Sequence, residues 1–348
     1  MTYEYEKVIT PSSGLRLHLN ENTAGCSPRV IEALRRLTRQ DVAFYPGYDE
    51  VVAACATRLG VEPEQLILTN GLDEGILALT VAALRERDAT VPEAVVVVPA
   101  FDMYASTAAG AGARVVEVAL GPDFAFPAAR ILDAIGPHTR LLFLTSPNNP
   151  TGLLIPRADI VRIARQAPHV HVLVDEAYAD FSQATLVGDP DVAALRNVFI
   201  GRTFAKAYGL AGVRAGVVIG DPSALVPLRR VVPPFSINVC AAAALAAGLG
   251  DEDYYQWYLA QVRSSKTLLY EALGKSGIRF WPSEANFVLA YFGDRASAVV
   301  DGLAARGVHV RDKSRDPACP GCIRITTGVV EHTQACIRAL EEVLCGAA

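Results

Sequence analysis

The feature that most constrains the fold is a series of short apolar runs that alternate with helix-like segments between about residues 66 and 220. The runs are continuous in Val, Ile and Leu, which is typical of strands buried on both faces of a mostly parallel sheet. Helix-like segments such as Glu74–Arg87 and Asp159–Gln166 separate them. The pattern predicts an α/β fold whose large domain has a mostly parallel seven-stranded sheet flanked by helices. The predicted strands are Gln65–Thr69, Ala94–Val98, Arg114–Val118, Leu141–Thr145, His171–Val174, Asn197–Ile200 and Gly216–Ile219.

The pattern changes after Val232-Pro233-Pro234, where long helices and shorter strands replace the regular alternation. We therefore expect a smaller α+β domain, completed by the N-terminal segment. The predicted division places residues 30–238 in the large domain and residues 1–29 and 239–348 in the small one. The expected elements of the small domain are a helical stretch Cys240–Lys275 broken near Gly248–Gly250, the strands Arg279–Trp281, Asn286–Tyr291, Val308–Arg311 and Cys322–Thr327, and a closing helix Glu331–Leu344.

Charge and hydropathy argue against nucleic-acid and membrane partners. The 37 acidic residues exceed the 32 basic ones, giving a net charge of −5, and no basic block occurs. The longest strongly apolar run, Val239–Leu249, is shorter than the roughly 18 residues that a spanning helix needs. The N-terminal residues Met1–Glu6 are acidic and show no secretory signal. We therefore expect a cytoplasmic protein with small-molecule partners.

The cysteines and glycines exclude other classes of site. Seven scattered cysteines do not form a disulfide framework, and we expect Cys319 and Cys322 to lie in a turn rather than to bind a metal or act in redox chemistry. The glycine fingerprint of a dinucleotide site fails because Val115 stands where the motif requires its third glycine. A phosphate-binding loop before Lys275 fails because Leu269 stands where that motif requires a glycine. These failures argue against a nicotinamide-dependent dehydrogenase.

Polar side chains that carry chemistry follow several predicted strands. Ser146–Gly152, Asp175–Tyr178 and Thr203–Lys206 each come after a strand, and Arg214 follows soon after the lysine. The carboxyl ends of strands in open α/β sheets are where ligands bind. A lysine and a carboxylate are the groups that pyridoxal phosphate requires for its carbonyl and its ring nitrogen, and an arginine and hydroxyls suit its phosphate. The sequence therefore predicts a site for pyridoxal 5'-phosphate.

The same motifs carry a resemblance to a known family. Asn149-Pro150-Thr151-Gly152, Asp175-Glu176-Ala177-Tyr178 and Lys206 with Arg214 are specific to the fold-type-I, pyridoxal-phosphate-dependent aminotransferases of class I/II. The resemblance extends from the segment His18–Asn22 to the closing helix, and the chain is most similar to the histidinol-phosphate aminotransferases.

The resemblance implies a role for each matching residue. Lys206 would bond covalently to the cofactor and carry the proton, Asp175 would pair with the ring nitrogen, and Asn149 and Tyr178 would bind the phenolic oxygen. Lys206, Asp175 and Tyr178 are thus the expected catalytic residues. The remaining expected contacts with the cofactor are Thr203, Arg214 and the backbone amides near Leu72 and Asp73 at the phosphate, Phe101 stacked on the ring, and Tyr45 reaching the phosphate from the neighbouring subunit of a homodimer.

The resemblance also suggests the substrate. Arg324 and Arg311 match an arginine pair that faces the substrate phosphate in histidinol-phosphate aminotransferases, and Asn22 lies in a motif on the substrate side. Two guanidinium groups suit a phosphate on a substrate that has no carboxylate. The implied reaction converts histidinol phosphate and 2-oxoglutarate to imidazole acetol phosphate and glutamate, a step of histidine biosynthesis.

Some residues depart from the family pattern. Thr23 replaces the usual proline of the Asn-Glu-Asn motif, Ala24 stands where an aromatic residue is common, and Ala205 replaces the usual serine before the lysine. The alternatives are therefore an aromatic or broad-range amino-acid aminotransferase, in which Arg324 would hold an α-carboxylate, and an enzyme of a biosynthetic cluster that uses this fold for decarboxylation or elimination. A regulator that binds the cofactor without catalysis is disfavoured, because no segment is left over for a DNA-binding domain.

Overall fold

The computed structural model describes residues 11–85 and 90–346. The end of the predicted helix at Arg87 and the N-terminal residues Met1–Glu6 lie outside these ranges. The strands are β1 (Leu15–Leu17), β2 (Leu66–Thr69), β3 (Glu93–Val98), β4 (Arg114–Ala119), β5 (Thr139–Thr145), β6 (His171–Asp175), β7 (Val198–Thr203), β8 (Gly216–Ile219), β9 (Arg279–Trp281), β10 (Phe287–Tyr291), β11 (Val308–Asp312) and β12 (Cys322–Thr326). The helices are α1 (Pro28–Arg35), α2 (Arg39–Ala43), α3 (Asp49–Leu59), α4 (Gly71–Leu84), α5 (Met103–Gly110), α6 (Ala128–Ala134), α7 (Arg157–Gln166), α8 (Pro190–Ala193), α9 (Pro222–Arg229), α10 (Val239–Leu249), α11 (Glu252–Lys275), α12 (Ala296–Ala305) and α13 (Val330–Gly346).

The larger sheet has seven strands in the order β2-β8-β7-β6-β5-β3-β4. The pairs β7–β6, β6–β5, β5–β3 and β3–β4 are parallel, whereas β8 is antiparallel to both β7 and β2. This arrangement confirms the predicted α/β class and the mostly parallel sheet.

The central strands are buried on both faces, as their continuous apolar sequences predict. Leu142 and Val172 belong to the hydrophobic cluster on one face, and Phe143 and Leu173, the next residue in each strand, belong to the cluster on the other. Successive side chains of a strand point to opposite faces, so only a continuous apolar run can fill both clusters. Each fully buried side chain of this kind contributes about 1.5–3 kcal/mol to stability.

Two strand boundaries differ from the sequence prediction for identifiable reasons. Asn197 precedes β7, because its side-chain amide donates hydrogen bonds to three backbone carbonyls at the end of α7 and in the loop after it, each at 3.1 Å. At its other end β7 continues past the predicted stop at Ile200 to Thr203. Arg202 can lie inside this buried strand because it pairs with Glu176 at 3.3 Å and with Asp180 at 2.6 Å.

A second sheet, in the order β1-β11-β12-β10-β9, confirms the predicted smaller α+β part. The N-terminal strand β1 pairs in parallel with β11, and the remaining neighbours are antiparallel. Residues of α11, α12 and α13 share one hydrophobic cluster with this sheet. The break in the long helical stretch falls between α10 and α11, where Asp251 caps the second helix by accepting a hydrogen bond from the Tyr254 backbone amide. The domain boundaries at residues 29/30 and 238/239 stay a prediction.

The antiparallel strand β8 determines which residues meet at the edge of the large sheet. Gly216, its first residue, lies opposite Thr203 at the carboxyl end of β7 and opposite Thr69 at the carboxyl end of β2. Arg214 precedes β8 and therefore lies at the same edge as the residues that follow β5, β6 and β7. A parallel β8 would have placed it at the opposite edge.

Cys319 and Cys322 are separate buried thiols in a turn, in which the Cys322 amide donates to the Cys319 carbonyl at 3.3 Å and Gly321 has a φ of +69°. Within residues 11–85 and 90–346, no group of three or more His, Cys, Asp or Glu side chains could hold a metal ion. No helix in these ranges is long and apolar enough to cross a membrane.

Candidate active site

A cavity of about 300 Å³ lies where the carboxyl ends of β5, β6 and β7 meet β11 and β12 of the small sheet. Its walls come from both sheets, from the first turn of α4 and from the segment after β1. The fold brings together at this cavity the predicted residues Leu72, Asp73, Phe101, Asn149, Asp175, Tyr178, Thr203, Lys206, Arg214, Arg311 and Arg324.

Asp175 is the last residue of β6 and is buried. Its Oδ2 accepts a hydrogen bond from the Tyr104 hydroxyl at 2.6 Å, and its Oδ1 accepts one from the Ala177 backbone amide at 2.8 Å. Burial raises the pKa of Asp175 to about 6, and the two hydrogen bonds act in the opposite direction. The carboxyl group is therefore ionised at neutral pH, and its charge faces the cavity.

Lys206 follows β7 and projects into the same cavity. Its Nζ donates a hydrogen bond to the Leu19 carbonyl at 2.9 Å and lies 5.9 Å from the centre of the Tyr178 ring. Burial, together with the nearby positive charge of Arg324, lowers the pKa of Lys206 to about 8. A lysine with a pKa this close to neutrality holds an appreciable share of nucleophilic, uncharged amine at physiological pH.

The first turn of α4 and Arg214 form a positively polarised end of the cavity. Because α4 begins at Gly71, the amides of Gly71, Leu72 and Asp73 have no intrahelical acceptor, as at every helix N-terminus. Arg214 has a φ of +64° and pairs with Asp73 at 2.7 Å, while Thr203 lines the same region. Amides at a helix start, a guanidinium and a hydroxyl are suited to bind a phosphate.

Two glycines allow α4 to lie close to Arg214 and to β8. Gly71 has a φ of +73°, which L side chains rarely adopt, and a Cβ atom at this position would overlap the Arg214 guanidinium. A Cβ atom at Gly216 would come within 2.6 Å of the Leu72 amide nitrogen. Both glycines are therefore required for the approach of α4 to Arg214 and β8.

The cavity wall also includes Tyr178, Asn149 and Arg324. The Tyr178 hydroxyl accepts a hydrogen bond from the Asn20 side-chain amide at 3.0 Å. Arg324 donates to Oδ1 of Asn149 and, at 2.7 Å, to the His18 carbonyl. These bonds hold the N-terminal segment, the loop after β5 and β12 together around the cavity.

Arginines of the small sheet face the cavity from adjacent strands. Arg311 of β11 and Arg324 of β12 are directly opposite each other in the antiparallel register, so their side chains lie on the same face of the sheet. Lys313, just beyond the end of β11, also lines the cavity and pairs with Asp316 at 3.1 Å. This end of the cavity is suited to an anionic substrate.

Two residues that were predicted for the site, Tyr45 and Asn22, do not line the cavity. Tyr45 does not line the cavity of its own chain; it is 79% exposed and stacks on Phe235 with the ring centres 4.2 Å apart. Asn22 is buried outside the cavity lining, because its side chain donates to the Ala207 carbonyl at 3.0 Å and accepts from the Ala24 amide at 2.9 Å. Its place in the cavity wall is taken by Asn20.

Sequence reasoning missed Tyr104, Asn20 and Lys313 as residues of the site. Lys313 comes two residues after Arg311, and this spacing in a strand places both side chains on one face. Asn20 belongs to the N-terminal motif, but the motif does not show which of its two asparagines faces inward. The local sequence gives no sign of the Tyr104 contact, since the tyrosine meets its partner only through the packing of α5 on the sheet.

Comparisons with known proteins identify the family. The model of the family "Aminotransferase class I and II" matches residues 12–341. The histidinol-phosphate aminotransferase of Anoxybacillus flavithermus is 35% identical over 98% of this chain and 90% of its own length, and that of Symbiobacterium thermophilum is 36% identical over 95% and 90%. The crystal structure of the histidinol-phosphate aminotransferase from Sinorhizobium meliloti in complex with pyridoxal-5'-phosphate has a TM-score of 0.87, is 27% identical and covers 97% of this chain and 92% of that one.

Proposed function

Since the chain belongs to the class I and II aminotransferases, which depend on pyridoxal phosphate, we propose that it transfers the amino group of histidinol phosphate to 2-oxoglutarate. The products are imidazole acetol phosphate and glutamate, and the reaction is a step of histidine biosynthesis. The two relatives and the solved structure described above, all of them histidinol-phosphate aminotransferases by name, support this substrate.

One observation carries the proposal. The cavity holds an ionised carboxylate and an amine that are not paired with each other. Asp175 accepts hydrogen bonds from neutral donors, Lys206 donates one to a carbonyl, and neither makes an ion pair within the described ranges. Isolated buried charges are costly, so such a pair indicates a ligand with complementary groups. A cationic ring nitrogen and a carbonyl carbon meet both requirements, and the residues therefore fit pyridoxal phosphate.

The same fit assigns the remaining contacts with the cofactor. The first amides of α4, at Leu72 and Asp73, would bind the phosphate together with Thr203 and Arg214. Phe101 would cover the ring. Asn149 and Tyr178 would bind the phenolic oxygen. Because Arg324 donates to Oδ1 of Asn149, the amide nitrogen of the Asn149 side chain is the atom that can donate to the cofactor.

The bound cofactor supplies a carbonyl that condenses with amines and a cationic ring that accepts the electrons of a broken Cα–H bond. Lys206 would accept the proton from Cα of the amino donor and hold it within the cavity for its return in the same half-reaction. Its pKa of about 8 lets it act in both directions near neutral pH. Asp175, ionised at this pH, would balance the positive charge of the ring. The amino group is transferred in two half-reactions, so we expect ping-pong kinetics.

The substrate phosphate is assigned to the cationic end of the cavity. Arg311 and Arg324 present two guanidinium groups from neighbouring strands, and Lys313 adds a third positive charge. A phosphate dianion matches this charge better than a single carboxylate does.

A homodimer completes the proposed site. Tyr45 is mostly exposed and stacks on Phe235, which is itself half-exposed, next to the exposed Val42 and Phe44. Exposed apolar groups of this kind mark protein–protein contacts. We assign Tyr45 to the phosphate site of the neighbouring subunit, so an isolated monomer would lack one cofactor contact.

The competing candidate is an amino-acid aminotransferase of broad range. It is favoured by the position of Arg324, whose contact with Asn149 places a guanidinium next to the proposed cofactor, where an α-carboxylate would also bind. In that case Arg311 has a structural role, and the reaction requires a substrate that carries a carboxylate.

Steady-state rates distinguish the two candidates. Glutamate formation from 2-oxoglutarate is measured with the loaded protein and either histidinol phosphate or phenylalanine as the donor, with Lys206→Ala as the blank. We expect kcat/KM to be at least about tenfold higher for histidinol phosphate, the ratio that one extra charged contact provides. A preference for phenylalanine would support the broad-range enzyme, and no turnover with either donor would refute both.

A further inference from the structure

We infer that Tyr104 is a positioning residue, whose hydroxyl donates a hydrogen bond to Asp175 and so fixes both the orientation and the charge of the carboxylate that is assigned to the ring nitrogen of the cofactor. The inference rests on the proposed function, because it concerns the residue assigned to the ring nitrogen. Tyr104 lies on α5, three residues after Phe101, and its side chain is 1% exposed.

The direction of the hydrogen bonds follows from counting protons. The Thr145 hydroxyl donates to the Tyr104 oxygen at 3.0 Å, and the Tyr104 oxygen lies 2.6 Å from Oδ2 of Asp175. An ionised carboxylate cannot donate, so the single phenolic proton must lie between Tyr104 and Asp175. The three residues therefore form a chain that runs from Thr145 through Tyr104 to the carboxylate.

This chain fixes the plane of the carboxylate. Tyr104 holds Oδ2 while the Ala177 amide holds Oδ1, so rotation of the group would break one bond or the other. The Tyr104 ring is itself fixed, since it stacks on Phe143 with the centres 4.9 Å apart and meets Phe101 edge to face at 5.8 Å. The same packing therefore holds Phe101, which is proposed to cover the cofactor ring, and Tyr104, which donates to Asp175.

The surroundings of Asp175 make this donor necessary. Burial, together with the negative charges of Asp73 on α4 and of Glu176 next in the chain, raises the pKa of Asp175, whereas the bonds from Tyr104 and Ala177 lower it. The other charged groups that line the cavity are Glu21, Asp102, Lys206, Arg214, Arg311, Lys313 and Arg324. Without the phenolic proton the carboxyl pKa rises further, and the protonated form becomes common at neutral pH.

The test uses Tyr104→Phe, which removes the hydroxyl and keeps the ring. The matched control is Tyr255→Phe, which removes a tyrosine-to-aspartate bond of the same kind, 2.9 Å to Asp180, outside the cavity. Two quantities are measured: the pKa of Asp175 in cofactor-free protein, by NMR of carboxyl-labelled aspartate assigned with Asp175→Asn, and the Kd for pyridoxal phosphate from pH 6 to 9.

For Tyr104→Phe we expect the pKa of Asp175 to rise by about one unit or more and cofactor binding to weaken about ten- to a hundredfold at neutral pH, as for the loss of a hydrogen bond to a charged group. The loss should shrink as pH rises above the new pKa, because the carboxyl group then ionises again. Tyr255→Phe should change neither quantity.

Other outcomes overturn the inference in distinguishable ways. An unchanged carboxyl pKa, or weaker binding by the same factor at every pH, would make Tyr104 a packing residue only. If Tyr104→Phe does not fold, Thr145→Val provides the test, and it should move the pKa of Asp175 in the same direction by less; no movement would refute the chain. Failure of the unaltered protein to bind pyridoxal phosphate would instead refute the proposed function.

Discussion

At the scale of single residues, burial disfavours the charged form of both Lys206 and Asp175. It shifts both pKa values toward neutrality, to about 8 for the lysine and to about 6 for the aspartate. The amine becomes partly uncharged, so it can act as a nucleophile and a base, and the carboxyl group stays ionised, so it can balance a cation. The two residues need different charge states at one pH, and the same apolar surroundings provide both.

The pH dependence of cofactor loading tests the state of Lys206. Only the uncharged amine attacks a carbonyl, and its fraction grows with pH until the lysine is fully deprotonated. The rate of covalent loading of cofactor-free protein should therefore rise from pH 6, reach half its maximum near pH 8 and level off at higher pH, which stopped-flow absorbance measures. Lys206→Ala should show no covalent loading, and the control Lys275→Ala, at an exposed lysine, should match the unaltered protein. A rate that still climbs at pH 10 would contradict the lowered pKa.

At this scale the sequence predicts some of the site and not the rest. Asp175, Lys206 and Asn149 could be identified because each follows a strand and belongs to a motif with a chemical purpose. Tyr104 could not, since its partner lies 71 positions away and the contact depends on how α5 packs on the sheet. Asn22 was predicted at the substrate side, but its side-chain amide donates to the Ala207 carbonyl and accepts from the Ala24 backbone amide.

At the scale of secondary-structure elements, the site depends on how closely α4 and β8 approach. Gly71→Ala should destabilise the protein by about 1–2 kcal/mol, the cost of a positive φ in an L residue, and should also displace the Arg214 guanidinium. We therefore expect lower thermal stability and at least about tenfold weaker binding of pyridoxal phosphate.

Gly60→Ala is the control for backbone strain alone. Gly60 has a similar φ of +67°, but a Cβ atom there would meet nothing within 4 Å. This variant should lose comparable stability, measured by thermal unfolding, and bind the cofactor normally. Equal affinities for the two variants would show that Gly71 is needed only for its backbone conformation and not for the approach of Arg214.

The strand β11 and its extension should determine substrate choice. Arg311→Gln removes a guanidinium from the phosphate end, so KM for histidinol phosphate should rise about ten- to a hundredfold with little change for phenylalanine. Lys313→Gln should have the same selectivity with a smaller effect, because its charge is shared with Asp316. Arg315→Gln, at an exposed arginine of the same loop, should leave both KM values unchanged. Equal increases in KM for the two donors would show that Arg311 stabilises the fold and does not bind the substrate phosphate.

At the scale of the whole molecule, the continuous apolar runs were enough to predict the layers but not the direction of every strand. Nothing in Gly216–Ile219 distinguishes an antiparallel strand from its parallel neighbours, and yet this direction brings Arg214 to the cavity. The smaller sheet was predicted from its change of pattern. Its pairing with the N-terminal strand β1 encloses the cavity between distant parts of the chain. The cytoplasmic location stays a prediction.

The proposed homodimer predicts that the inactive variant Lys206→Ala and the impaired variant Tyr45→Ala together form an intact site. In a hybrid of Lys206→Ala with Tyr45→Ala, one of the two sites combines an intact lysine with an intact tyrosine from the other subunit. After mixing, unfolding and refolding of equal amounts, we expect about a quarter of the unaltered activity, from random pairing of two subunits. Activity equal to the average of the two separate variants would show that Tyr45 serves its own subunit or none.

The most direct test of the central claim is the visible absorbance of the cofactor-loaded protein during a single turnover. We expect histidinol phosphate to bleach the cofactor band rapidly, phenylalanine to do so slowly, and 2-oxoglutarate to restore the band. Bleaching only by amino acids that carry a carboxylate would contradict the assignment of Arg311 and Arg324 to a phosphate. In that event the broad-range aminotransferase would be the better description.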